Sequence, residues 1–261
     1  MTEKLIRNDK DYIAYLKLND NPANSLSSEM MGAIQAELTE IDTNPSIRVV
    51  VFESANEKIF CSGHSLTEVK GMMNDKNVQA QEKLFAQCSM MMKQIQKISK
   101  PAIAKVRGVA TAAGNQLVAS CDLAYGSEDS RYALPGANIG LFCHTPQVAV
   151  SRTIGRKATM EMLLSGEMID AAKAEKIGLI NKVISSADLD SEVEKVCETI
   201  NQKSAEVIAQ GKRSFYRQIE MGLTDAYAVT SQNMVKNLEL NDANEGISSF
   251  LEKRKPEWTN D

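Results

Sequence analysis

An α/β fold is the class this sequence predicts, on three observations. Apolar runs with strand character alternate with segments of helical spacing through the first half of the chain. One run, RVVVFES (Arg48 to Ser54), reads as a buried strand with no face left for water. Beyond Pro146 the pattern turns almost wholly helical. A chain of 261 residues can bury a full core, as one large domain or as two small ones. No Pro/Ser-rich linker interrupts it, so the reading is a core over residues 1–200 with a helical C-terminal region, residues 201–261.

Taken in order, KLIRNDKDYIAYLKL reads as two strands joined by a polar turn at Asn8 to Asp11. Ser27 has the side chain of an N-cap, and Glu29 lies in the first turn that follows. Met30, Ile34, Leu38 and Ile41 then recur at helical spacing until Asn44-Pro45 stops the run. After the RVVVFES strand, a loop, IFCSGHSL, leads to a long amphipathic helix near Val78 to Ile98. Its apolar positions are Leu84, Phe85, Cys88, Met91, Met92 and Ile95, where methionine serves as core filler. PAIAKVRG is a further strand, followed by a loop of small residues, a helix near Asn115 to Ser120 and the strand DLAYG. A short strand at LINKVIS, after Gly178, relieves the helical second half.

Composition excludes several function classes. Formal net charge is −4 with both signs interspersed, so no basic field invites nucleic acid. No run of about 18 apolar residues suggests a membrane span. The N-terminus enters strand pattern directly, without the features of a signal or transit segment, and a cytoplasmic address is the default expectation. Five cysteines (Cys61, Cys88, Cys121, Cys143 and Cys197) are scattered with no C-x-x-C pair, which reads as reduced thiols and no metal site.

Two loops can carry chemistry. FCSGHS (Phe60 to Ser65) and TAAGN (Thr111 to Asn115) each follow an apolar strand and precede a helix, where ligand sites commonly form. Small residues there either let main-chain N–H groups approach a ligand or simply allow close helix-on-strand packing. If the former, the unpaired N–H groups and positive end of the second helix face the loop. Two such donors, one from each loop, suit an oxygen that becomes negative during a reaction. GVATAAG also invites a dinucleotide-loop reading, but it lacks G-x-G-x-x-G spacing and lies mid-chain.

Over nearly its whole length the sequence resembles the crotonase superfamily of enoyl-CoA hydratases and isomerases. The resemblance rests on NPANSL, FCSGHSL, KPAIAKVRGVATAAGNQLVASCDLAYGSEDSRYALPGANIGL, EMLLSGEMIDAAKAEKIGLINKV and GISSFLEKRKPEW, in order and at similar spacing. GNQLVASCD and PGANIGLFCHTP are most similar to its enoyl-CoA hydratase domain-containing 3 branch. The resemblance implies a spiral of ββα units holding an acyl-CoA thioester, its carbonyl oxygen between the main-chain N–H groups of His64 and Ala113. It implies that Cys61, Gly63, Ser65 and Leu66 border the adenine end, chiefly through backbone. No cofactor is held permanently; coenzyme A arrives as part of the substrate. The resemblance also implies a homotrimer or dimer of trimers, with C-terminal helices from about Asn201 to Glu252 covering the pocket and meeting a neighbouring subunit.

Two departures matter. In this family two glutamates carry hydration, and their matching positions here hold Gln116 and Gly136. Gln accepts no proton at a useful pH and Gly has no side chain, so the usual acid/base pair is missing. Restoring glutamate at both positions is expected to raise hydration where the pocket has room. Of the remaining titratable candidates, both histidines, His64 and His144, fall in pocket segments. Each has a structural alternative: His64 needs only its N–H, and His144 can cap a helix. Cys143 adjoins His144 without any sign of a lowered thiol pKa. Gln116 and Asn138 can orient a water or a thioester substituent, whereas Asn115 and Asp122 read as structural. For the phosphates of coenzyme A, Lys212, Arg213 and Arg217 share a late helix and Lys253, Arg254 and Lys255 lie near the end; Lys212 is the residue chosen. Ala23 stands where many relatives carry a basic residue.

Overall fold

Alternating strand and helix becomes architecture through two sheets of unequal size. The computed structural model describes residues 3–260. A hairpin of β1 (Leu5–Lys10) and β2 (Ile13–Leu18) opens the chain. Lys10 pairs with Ile13, so the turn is only Asp11 and Tyr12, with Asp11 at φ 54°. This corrects the turn expected at Asn8 to Asp11, because Asn8, Asp9 and Lys10 stay extended opposite Tyr15, Ala14 and Ile13. Helix α1 (Ser28–Thr43) starts where expected, the Ser27 hydroxyl accepting from the Met30 N–H at 3.2 Å.

The chain then repeats one move three times. A strand in the large sheet passes directly to a three-residue strand in the small one and returns through helix. The pairs are β3 (Val49–Ser54) with β4 (Ile59–Cys61), β5 (Ala102–Val106) with β6 (Val109–Thr111), and β7 (Leu123–Ser127) with β8 (Arg131–Ala133). Helices α2 (Leu66–Asn74) and α3 (Val78–Lys97) close the first unit, and α4 (Ala113–Ser120) closes the second. A single 3-10 turn at Pro135–Ile139, then α5 (Pro146–Thr153) and α6 (Arg156–Ser165), follow the third. Strand β9 (Ile169–Asp170), α7 (Ala171–Lys176) and β10 (Lys182–Ile184) complete the sheets. Their orders are β1-β2-β3-β5-β7-β10 and β4-β6-β8-β9. Within each triplet the neighbours run parallel, giving the ββα spiral.

The central strands β3 and β5 of the large sheet are buried on both faces, which explains their unbroken apolar runs. Val50 and Phe52 join the main core with α1 and α3 residues. Val49 and Val51 instead meet Leu189, Val193 and Cys197 of α8 (Leu189–Asn201). Helices α9 (Ala205–Gln218), α10 (Leu223–Leu238) and α11 (Asn241–Glu252) form the C-terminal region. No helix among the described residues is long and apolar enough to cross a membrane, and none of their His, Cys, Asp and Glu side chains gather into a metal-binding group.

The spiral corrects two readings of sequence and adds an element. PAIAKVRGVAT is two strands rather than one strand and a loop, and LTEVKGMMN, to which the sequence reading assigns no element, is helix α2. Helix α4 starts at Ala113, two residues earlier than expected, so the small residues form its first turn.

Candidate functional site

The C-terminal ends of β4, β6 and β8 converge on a cavity of about 540 Å³. Its walls are largely apolar, with Leu66, Phe85, Ile139, Leu141 and Phe142 among them, and no carboxylate lines it. His64 and Ala113 both line it, one from each small-residue loop. The loops touch: a Cβ added at Gly63 would lie 3.0 Å from the Ala113 nitrogen. Among the described residues no acceptor takes a hydrogen bond from the main-chain N–H of His64 or Ala113. The partner bond at this place, Leu26 N–H to the Gly63 carbonyl at 2.8 Å, leaves the His64 N–H unused.

Local sequence builds this arrangement. Ala112 precedes α4 at φ 49°, ψ −120°, and offers no side-chain cap, so the first N–H groups of the helix stay open. A non-glycine residue in that region carries backbone strain of about 1–3 kcal/mol, which the buried surroundings hold in place. Gly114 then lets α4 press against β4, since a Cβ there would lie 2.1 Å from the Cys61 carbonyl oxygen. The positive end of α4 therefore stands at the cavity wall.

Each side chain singled out from sequence has a definite place. The His64 imidazole is mostly buried; its Nδ1 lies 3.2 Å from the Leu26 carbonyl and its ring packs edge-on with Phe85 at 5.3 Å. Burial lowers its pKa, and its Nε2 is buried without a partner among the described residues. His144 is exposed at the rim, its ring 5.2 Å from Phe142. Cys143 lines the cavity, and burial pushes its thiol pKa up, which disfavours a thiolate. No hydrogen bond joins it to the neighbouring imidazole among the described residues. Asn138 also lines the cavity and donates to the Gly166 carbonyl at 3.3 Å.

Gln116 does not line the cavity; it is buried, with Oε1 3.9 Å from the Cys88 sulfur. Gly136 does, but a Cβ there would lie 1.9 Å from the Leu141 carbonyl oxygen and 2.9 Å from the Cys143 sulfur. The expectation that glutamate can be restored at position 136 is thereby corrected, because backbone fills the space. Asn115, in the first turn of α4, is fully buried with neither amide atom bonded among the described residues.

Of the residues expected to border the adenine end, Leu66 is exposed and lines the cavity, while Cys61 is buried with its thiol pushed up to about 12. Ser65 caps α2, accepting from the Glu68 N–H at 3.3 Å. Its S-x-x-E spacing is the capping-box signal that could have disclosed α2 from sequence. Lys212 has another task. Its ammonium donates to Asp122 at 2.7 Å, to the Ile95 carbonyl at 2.9 Å and to the Lys100 carbonyl at 2.8 Å. All three donors are thus used inside the chain, which corrects its assignment to a coenzyme phosphate. Phe85, read from sequence as core, turns out to form part of the cavity wall.

Fold and site together describe an apolar cleft with acceptor-free main-chain N–H groups at its wall. Residues 8–261 match the enoyl-CoA hydratase/isomerase family, and the chain belongs to that family. It is 44% identical over 241 residues to the enoyl-CoA hydratase domain-containing protein 3, mitochondrial, of Xenopus laevis, covering 92% of this chain and 81% of that protein. The human protein of that name is 41% identical over 243 residues, covering 93% and 79%. A crystal structure of an enoyl-CoA hydratase from Mycobacterium smegmatis superposes with a TM-score of 0.93 at 43% identity, covering 98% of this chain and 99% of that one. The crystal structure of the human domain-containing protein 3 gives 0.94 at 39% identity, covering 98% and 100%.

Proposed function

We propose that the chain binds an acyl-CoA thioester with its carbonyl oxygen between the N–H groups of His64 and Ala113, and stabilises the enolate formed next to that carbonyl. The observation that carries this reading is the pair of acceptor-free main-chain donors on one apolar cavity wall. Cys61, Gly63, Ser65 and Leu66 border the adenine end, chiefly through backbone. His144 at the rim is the proposed proton-handling group; Gln116, buried within α4 and outside the cavity lining, can orient the ligand only through the helix that carries it. Coenzyme A enters and leaves with the substrate.

Hydration of an enoyl thioester is expected to be slow or absent, since neither position 116 nor position 136 supplies a carboxylate. The test is calorimetry and product detection across acyl-CoA chain lengths, enoyl and malonyl-type forms included. Saturable binding with little hydration of crotonyl-CoA is expected. Rapid hydration that survives Gln116→Ala would overturn the assignment of residues. The carboxylate-free wall also favours a second reading, a family member that holds acyl-CoA without turning it over; binding with no product from any thioester would select it.

A homotrimer or dimer of trimers is proposed through the C-terminal helices. Leu223, Tyr227, Phe250 and Leu251 there are 68–81% exposed, more apolar surface than a solitary chain ordinarily leaves in water. The vertebrate relatives are named mitochondrial, which sets a second compartment beside the cytoplasmic reading; cell fractionation decides between them.

A further inference from the structure

At the opposite ends of the large-sheet strands lies a second cavity, of about 210 Å³, which shares no residue with the first. Arg48, just before β3, and Ser99, Lys100 and Pro101, just before β5, form one side of it, and the first turns of α9 form the other. Both cationic side chains are half-buried. Arg48 donates once, to the Lys203 carbonyl at 2.6 Å, and among the described residues neither it nor Lys100 has a carboxylate within ion-pair distance.

The surrounding carboxylates are committed elsewhere. Asp42 accepts from the Ser99 N–H and hydroxyl at 2.6 and 2.7 Å. Glu206, which also lines the cavity, pairs with Arg213 at 2.9 Å. Asp242 accepts from the Thr259 and Asn260 N–H groups at 2.7 and 3.0 Å. Burial lowers the pKa of both Arg48 and Lys100; the charge of Asp42 and, more weakly, that of Glu206 offset this at Lys100 while Arg48 adds to it, and Asp242 offsets it at Arg48. Lys212, which donates to the Lys100 carbonyl at 2.8 Å, has all its donors matched, whereas the Lys100 ammonium has no hydrogen-bond acceptor among the described residues. Two like charges held in a part-desolvated hollow cost stability unless an anion completes them.

We propose that this cavity binds a phosphate group, either free phosphate or the end of a small phosphomonoester, through Arg48 and Lys100. A guanidinium fork beside a compact ammonium matches a dianion of that shape. The 14-residue α9 also points its N-terminus at the hollow, although its Ala205 and Val207 N–H groups are already taken by Asn260 and Ser204 and Glu206 lies in its first turn, so the two cationic side chains carry the site. The volume lies below the range of about 300–1,000 Å³ usual for drug-sized ligands, so a whole nucleotide is too large.

The test is calorimetric titration of inorganic phosphate into the full chain, with chloride at matched ionic strength as control, for wild type, Lys100→Gln and Lys100→Arg. Saturable one-to-one binding is expected in wild type, a loss of at least about tenfold in Lys100→Gln, and retention in Lys100→Arg. In phosphate-free buffer Lys100→Gln is expected to melt above wild type, because a part-desolvated ammonium that also repels Arg48 is gone, and to lose the rise in Tm that phosphate gives the wild type. Equal effects of phosphate and chloride, or undiminished phosphate affinity in Lys100→Gln, would overturn the proposal. Glycerol 3-phosphate titrated beside free phosphate names the source, the tighter of the two being the natural form. Acyl-CoA binding is expected to be unchanged in Lys100→Gln, so this result stands apart from the thioester reading.

Discussion

The two ends of α4 treat buried polar groups in opposite ways. At its start, the N–H groups of His64 and Ala113 face a cavity with no acceptor among the described residues. Just past its end, Asp122 and Lys212 are fully matched. One Asp122 oxygen accepts from Tyr216 at 2.9 Å, and the other accepts from the Ala102 N–H and from Lys212, both at 2.7 Å. The contrast teaches where this fold spends stability. Satisfied groups tie β5, β7 and α9 together, while the open main-chain donors of His64 and Ala113 stand where a ligand would complete them.

The largest expected effect breaks the matched end. Asp122→Ala leaves the Lys212 ammonium buried without its counter-charge, and a loss of about 3–5 kcal/mol in urea unfolding is expected. A loss under about 1 kcal/mol would mean that the pair only decorates the surface.

A smaller effect is expected at the open end. Gly114→Ala forces α4 away from the Cys61 carbonyl, costing about 1–3 kcal/mol, and it also moves the Ala113 N–H relative to His64. Acyl-CoA affinity should therefore fall even in the fraction that stays folded. Undiminished affinity would show that the spacing of these two donors is not what holds the ligand.

The smallest effect sharpens the comparison through pH. Burial holds the His64 pKa below its ordinary 6.5, so the unfolded chain binds this proton more readily than the folded one. Stability is accordingly full above pH 6.5 and declines as pH falls through 6.5 toward the lowered value. His64→Gln keeps the main-chain N–H and should flatten that part of the stability curve; an unchanged slope would place the imidazole in water.

Much of this was legible in the chain. The Ser27 cap and the 3–4 spacing from Met30 to Ile41 define α1, and the spacing from Leu84 to Ile95 defines α3, because amphipathic helices write their burial into local order. Strands β4, β6 and β8 escaped notice. Each has three residues, too few for a period, and each exists only through its neighbours in the small sheet. The end of β1 reads as turn because polar Asn8, Asp9 and Lys10 lie at the exposed end of an edge strand, where both faces are open to water. Lys212 looked available for a phosphate because a charge in a helix says nothing of the three acceptors that folding brings to it.

Sequence alone determined the class of fold, the two small-residue loops and the absence of glutamate from positions 116 and 136. Those properties reside in single residues and their near neighbours. Tertiary structure alone decided that Gly63 touches the Ala113 backbone, that position 136 has no room for a side chain, and that Arg48 and Lys100 face one hollow. These contacts join segments about fifty residues apart or turn on the path of a neighbouring backbone, and such distances are fixed only when the sheets pair.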